Sequence, residues 1–286
     1  MLSKVEVRER ALNDIEESKF QVDLHLHSHY SDCSTQSVGE ILCKAKEIGL
    51  KTLSLTDHNN FDGVCKAIKI SSIFNIDLIP GIEIATGIKK SNDWIEDRRD
   101  ILVYFPELDK FQKWALSGFD LCTNELLAKA TDRIHNKKFW GNVPIEEVIK
   151  WADQHGGISI IAHLGYYNYE TKEKIIELLE KGIKGIEIFN LKYLNYSHYG
   201  KNSLEEVIEL YFDIIRDYTK YRNTNKKPIF TIGSDSHSLD SIGKIKLKLN
   251  IIQKINSFLE DSETAFSNEN DPKRLLEQLI MESLQT

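Results

Sequence analysis

Short apolar runs alternate with longer stretches in which apolar positions recur every three or four residues, and the alternation continues almost from end to end. The first pattern suits buried strands and the second amphipathic helices, so together they predict βα units around a largely parallel sheet or barrel. Strands are predicted over 20–24, 52–56, 78–84, 101–105, 158–162, 185–189 and 229–232, and helices over 38–48, 62–74, 123–135, 145–154, 172–181 and 204–221. Seven strands would make a barrel one unit short of the usual eight. Punctuation agrees with this division: Pro144 stands at a helix start, and Gly49, Gly156 and Gly182 stand where helix C-caps belong. Two segments break the rhythm. Positions 89–100 read as a charged connection and 191–202 as a Tyr/Asn-rich loop, both placed to overhang a site. After Lys244 the chain reads as a closing segment that ends in an amphipathic helix over 273–283. Residues 1–286 are therefore expected to form one domain with its core at about 20–243.

Composition narrows this picture. With 286 residues and 41% hydrophobic content the chain can bury a sizeable core, and its five prolines and fifteen glycines leave little room for linkers. A formal charge of −7 argues against a broad nucleic-acid surface, so any nucleic-acid substrate should be short or gripped locally. Cys33, Cys43, Cys65 and Cys122 form no CxxC pair, which fits thiols in a reducing compartment and a cytoplasmic address. The N-terminal segment is charged and lacks a signal-peptide core, and no window approaches the ~20 apolar residues of a membrane span. No membrane association is expected.

The candidate chemistry lies where strands end. In Asp23-Leu24-His25-Leu26-His27 the alternation of a strand puts both histidines on one face, and Asp32 follows shortly after. Asp57-His58 close the second strand, Glu83 ends the third, His163 follows the run at 158–162, and Asp235 and His237 follow the last strand. In a parallel barrel these ends open on one face, which would gather the groups around a single cavity. Histidines and carboxylates suit Zn²⁺, Mn²⁺ or Fe²⁺, and so many ligands exceed the needs of one ion. Two or three metals are implied. Ions at ~3.5–4 Å spacing clamp the oxygens of an in-line displacement at phosphorus, which points to phosphate-ester hydrolysis.

The runs VDLHLHSHYSD, LSLTDHN, LIPGIEI, IIAHLG, GIKGIEIFN and TIGSDSH, spanning about residues 20–238, resemble the PHP (polymerase and histidinol phosphatase) superfamily of metal-dependent phosphoesterases. The resemblance implies a distorted (β/α)7 TIM-like barrel and a trinuclear centre. It assigns His25, His27, Glu83 and Asp235 to one ion, Glu83 and His163 to a second, and Asp32, His58 and His237 to a third. Asp100 occupies the place of a usual histidine, and two readings of it stand: a ligand of the second ion, or a salt-bridge partner of Arg98 or Arg99. Ser197-His198 resembles a pair that faces substrate in related phosphatases, with His198 as general acid, against the reading of an ordinary loop histidine. Arg98 and Arg99 are candidates for a cationic lip that binds substrate, against a solvated charged loop. Leu164 and Tyr166-Tyr167 depart from the family pattern, so substrate preference does not carry over. Beside Asp32, Cys33 stands where glycine is common, and two readings of it stand: a thiol that approaches the metals, or a small packed thiol. The expected substrate is a small phosphomonoester or a short nucleic-acid end. Within the class a histidinol-phosphate phosphatase stays open, and outside it a noncatalytic metal-binding or interaction module.

Overall fold

The computed structural model describes residues 21–89, 95–116, 126–127, 130, 143–163, 172–190, 213–214, 216 and 228–244. In chain order the elements are β1 (Val22–Leu26), α1 (Val38–Ile48), β2 (Thr52–Leu55), α2 (Asp62–Phe74), β3 (Asp77–Leu78), β4 (Gly81–Lys89), β5 (Ile95–Tyr104), α3 (Leu108–Leu116), α4 (Ile145–Gln154), β6 (Ile158–Ile161), α5 (Lys172–Lys181), β7 (Gly185–Phe189) and β8 (Ile229–Ile232). The protein is an α/β protein. Helix α1 shows why these boundaries fall where they do. Ser37 and Glu40 form a reciprocal capping box at its start, and Gly49 closes it at φ 84°.

The strands form two sheets rather than a single closed one. β1, β2 and β3 pair in parallel, while the second sheet runs β4-β5-β6-β7-β8. Isolated bridges between Leu26 and Ser236 and between His58 and Glu83 link the first sheet to both edges of the second. The strand expected over 78–84 divides at Pro80, whose ring removes the N–H a continuous ladder needs, so β3 and β4 fall in different sheets.

A larger correction concerns 89–100, expected as a charged connection. Most of it is strand: β4 and β5 pair antiparallel from Gly81↔Tyr104 to Lys89↔Ile95. The five positions 90–94 between them are too few for a parallel crossover, which needs a dozen or more residues. β5 therefore runs against its neighbours on both sides, and only β6–β7 and β7–β8 are parallel in this sheet. Because it is reversed, β5 brings its earlier residues, not its last, to the end of the sheet where β6 stops. Ile101 faces Ile161 at the end of β6, and Asp100 accepts the Ala162 N–H through its carbonyl at 3.1 Å.

Helix α3 was not anticipated, although Phe111, Trp114 and Ala115 show helical spacing. It seats Phe111 and Trp114 against Phe61, Phe105 and Trp151, with ring centroids 5.2–6.3 Å apart. β1 is buried along its whole length. Its Asp23 carboxylate accepts N–H bonds from Ser234 and Gly243, both at 2.9 Å, and so ties the strand to the chain that follows β8.

Candidate metal centre

Residues from six places in the sequence meet here: His27, His58, His163, Asp235 and His237 lie past strand ends, whereas His25, Asp100 and Glu83, expected at a strand end, lie within strands. Their hub is Glu83, fully buried in β4. Its Oε2 lies 3.4 Å from His25 Nε2, 3.2 Å from His27 Nε2 and 3.1 Å from His58 Nδ1, while Oε1 lies 2.9 Å from His163 Nε2. Asp235 Oδ1 faces His27 Nε2 at 3.1 Å and His25 Nε2 at 3.5 Å. Asp100 Oδ2 lies 3.5 Å from His163 Nε2. His237 completes the group, its ring centroid 4.5 Å from that of His27.

Potential ligand atoms fall into three sets, each with all members within 4.8 Å of one another: His25, His27 and Asp235; Glu83, Asp100 and His163; and His27, Cys33, His58 and His237. Asp32 is exposed and belongs to none of these sets, although its neighbour Cys33 does. Arg99 is not brought to the group. It is buried and lines a cavity of about 80 Å³ with Gly87, Pro144, Ile145, Lys174 and Leu178. Arg98 is half-buried at the register shift of the β4–β5 arm, two residues from Asp100. His198 lies outside the described residues.

The side chains are pre-oriented. His25 Nδ1 lies 2.8 Å from Glu187 Oε1. A carboxylate only accepts, so this nitrogen carries the proton and Nε2 presents its lone pair to the hub. Ser31 Oγ donates to Asp57 Oδ1 at 2.7 Å, so its lone pair receives His27 Nδ1 at 3.2 Å and frees His27 Nε2 in the same way. His237 Nδ1 donates to the Asp235 carbonyl at 2.8 Å. The backbone is also held in sparsely populated conformations, with φ of 51° at Asn59, 25° at His163 and 51° at Asp235. Such conformations cluster at functional sites because the surrounding structure must enforce them.

Glu187 was missed from the sequence, where it counted only as part of the strand run Gly185-Ile186-Glu187. It is fully buried. One of its oxygens holds the His25 ring, and the other accepts from His163 N at 2.6 Å and from Asn190 Nδ2 at 3.1 Å. The available signal was a glutamate inside an otherwise apolar buried strand, which demands a partner. Asp57 is likewise a support rather than a member of the sets. It accepts from Ser28 N, Ser28 Oγ and Ser31 Oγ at 2.6–2.7 Å.

Electrostatics sharpen the arrangement. Burial disfavours the charged His25 ring, but Glu187, Asp235 and Glu83 outweigh it and raise its pKa well above the usual value. His27 is raised by Asp235 and Glu83 in the same contest with burial. Burial opposes charge on Glu83 too, yet His58, His25 and His163 hold its carboxyl well below the usual range. Without a cation, His25 and His27 add stability that is complete below pH of about 6.5 and is lost as pH climbs through their raised values. A cation must displace those protons, so its affinity is expected to rise with pH and its binding to release protons. Calorimetric titration in buffers of different ionisation enthalpy measures this, and proton-neutral uptake below pH 7 would contradict it.

Do these residues suit metal? His25 Nε2, His27 Nε2 and Glu83 Oε2 are buried and make no hydrogen bond, yet they converge at 3.2–3.4 Å. Buried polar atoms without partners are costly, and a divalent cation between imidazole and carboxylate satisfies them all. The donor set fits.

An α/β protein that gathers imidazoles and carboxylates in one buried cluster has the equipment of a metal-binding protein. The family model for the PHP domain matches residues 23–229, and the chain belongs to that family. It is 25% identical over 234 residues to a probable phosphatase of Vibrio parahaemolyticus, covering 80% of this chain and 82% of the relative. A probable phosphatase of Shewanella loihica is 23% identical over 247 residues, covering 85% and 88%. Among solved structures, a protein from Bifidobacterium adolescentis classed as a metal-dependent phosphoesterase superposes with a TM-score of 0.52 at 17% identity, covering 82% of this chain and 95% of that one. An amidohydrolase from Chromobacterium violaceum, solved with sulfate and no metal, gives 0.54 at 16% identity, covering 83% and 96%. These two likenesses concern the fold.

Proposed function

We propose that the protein hydrolyses a small phosphomonoester, or the phosphate ester of a nucleotide or short oligonucleotide end, with two or three divalent ions, Zn²⁺, Mn²⁺ or Fe²⁺. The chain is a hydrolase of phosphoric esters; the substrate class and the ion count are the proposal. One observation carries it: Glu83 faces four imidazoles with both oxygens inside a buried cluster where its own Oε2 and two ring nitrogens make no hydrogen bond.

His25, His27, Glu83 and Asp235 would hold one ion, and Glu83, His163 and Asp100 a second. His58 and His237 would hold a third, where the sequence reading adds Asp32. Bound ions would supply Lewis acidity at the phosphoryl oxygens and acidify an attacking water. The protein does the rest. Glu187 and Ser31 fix the ring tautomers of His25 and His27, Glu83 spaces the positions, and Arg98 at the rim adds positive charge for an incoming phosphate. His198 is proposed to protonate the leaving oxygen. A distorted (β/α)7 barrel is proposed for the whole, supported by the bridges that link the first sheet to both edges of the second. No described helix is long and apolar enough to cross a membrane. Cys33, Cys43 and Cys65 form no disulfide, which agrees with the proposed cytoplasmic address.

The test is a substrate panel of AMP, 3′,5′-bisphosphates, histidinol phosphate and short 5′-phosphorylated oligonucleotides. It is run on chelator-treated protein and again after reloading with each metal. Hydrolysis should vanish with the chelator and return with at least one ion. Metal-loaded protein inert on the whole panel would sink the proposal.

A further inference from the structure

We propose that Cys33, not Asp32, is the ligand that completes the third ion position, through its thiolate and beside His58 and His237. The proposal deepens the function proposed above and rests on it for the identity of the site. The carrying observation is that ligand atoms of Cys33, His58, His237 and His27 all lie within 4.8 Å of one another, while Asp32, exposed like Cys33, joins no such set among the described residues. His27, the fourth member, is fully buried and its Nε2 makes no hydrogen bond, so the set lies directly against the first ion position.

Local structure explains the placement. The turn after β1 is pinned on both sides of Cys33. Ser31 Oγ accepts the His58 N–H at 2.9 Å and donates to Asp57, and Ser34 Oγ donates to the His27 carbonyl at 3.0 Å. Ser34 N also donates to Ser31 O at 3.1 Å, which closes the turn around Cys33. Neighbouring side chains in such a turn diverge, and although Cys33 is exposed, its sulfur is the one within reach of the imidazoles. The same clamp on His58 N–H sets the backbone of the second member. The third, His237, has its Nδ1 proton committed to the Asp235 carbonyl, so Nε2 is the coordinating nitrogen.

Ligand counting then separates the positions. A single imidazole nitrogen serves one ion, and His27 Nε2 faces both Glu83 and Asp235 at 3.1–3.2 Å. With His27 committed there, Cys33, His58 and His237 form a three-ligand set that leaves the fourth position of a tetrahedral ion open to water or a phosphoryl oxygen. On coordination the thiol loses its proton to solvent and binds as thiolate. A sulfur ligand shifts this position toward Zn²⁺ or Fe²⁺ and away from Mn²⁺ and Mg²⁺, whereas the all-oxygen-and-nitrogen positions keep the broader choice.

Co²⁺ titration of the metal-depleted protein tests this by absorption. The expected result is a sulfur-to-cobalt charge-transfer band in the near ultraviolet alongside the visible bands of bound cobalt. In Cys33→Ser the charge-transfer band should be lost entirely while visible bands from the remaining positions persist, and in Asp32→Asn the charge-transfer band should stay. Visible bands without a sulfur band in the native protein overturn the assignment, as does a sulfur band that survives in Cys33→Ser or disappears in Asp32→Asn. Phosphoester hydrolysis is scored separately. A sulfur band in a protein inert on every ester supports the Cys33 assignment and defeats only the proposed reaction. Hydrolysis without a sulfur band does the reverse.

Discussion

Glu83→Gln is expected to lose more activity than any other single substitution in the centre. Among the described residues its carboxylate is the only group that faces His25, His27, His58 and His163 together, at 2.9–3.4 Å. Glutamine keeps the volume but removes the charge, and it turns one oxygen into an NH₂ that can only donate. The carboxyl stays ionised despite full burial because three imidazoles favour the anion. A neutral amide therefore removes the anion shared between the positions and leaves Asp235 and Asp100 alone to balance the cations. The loss of turnover should exceed the ~10–100-fold typical of an outer-shell partner. Elemental analysis should find fewer ions per chain. Near-native turnover with full metal content would show that Glu83 is not the bridge.

The second large effect is expected from Gly233→Ala, a position with no chemistry of its own. A Cβ there would fall on the Cβ of His25, 2.8 Å from the His25 backbone nitrogen and 3.0 Å from Glu187 Oε1. Both sides of the collision are fixed, since His25 belongs to buried β1 and Glu187 is pinned by three hydrogen bonds. Overpacking of this kind costs ~1–3 kcal/mol, and a clash with backbone lies at the upper end. The melting temperature should fall and metal affinity with it, because relief requires His25 to move. Gly39→Ala is the control. Nothing lies within 4 Å of its added methyl, and alanine is the better helix former in α1. If both variants melt like the parent, the close approach of β8's exit to β1 is not as described.

Much of this architecture could be read from residue order. The bounds of α1, α2, α4, α5, β7 and β8 follow from apolar period and from capping or glycine signals, because each element packs its own face against the core. β5 is different. Its first half is charged, so hydrophobic period cannot reveal it, and it is a strand only because β4 offers an antiparallel edge across a short connection. That pairing also explains why Asp100, and not its neighbour Arg99, comes to His163: successive residues of a strand face opposite ways. Ligand candidates at strand ends were legible because βα order brings those ends together. Supporting residues were not. Glu187 acts through hydrogen bonds to groups 24 and 162 positions away, and a glutamate inside an apolar strand demands a partner without naming it.

The double grip of Glu187 bears on how this protein can change over generations. One carboxylate aligns the His25 ring and the His163 backbone, which belong to different proposed ion positions. A lineage could therefore not discard one position by drift at Glu187 and keep the other. Either both are retained under selection or both decay together. In a set of descendants, an intact Glu187 would thus mark a working centre more sensitively than any one of the histidines, each of which answers for a single position.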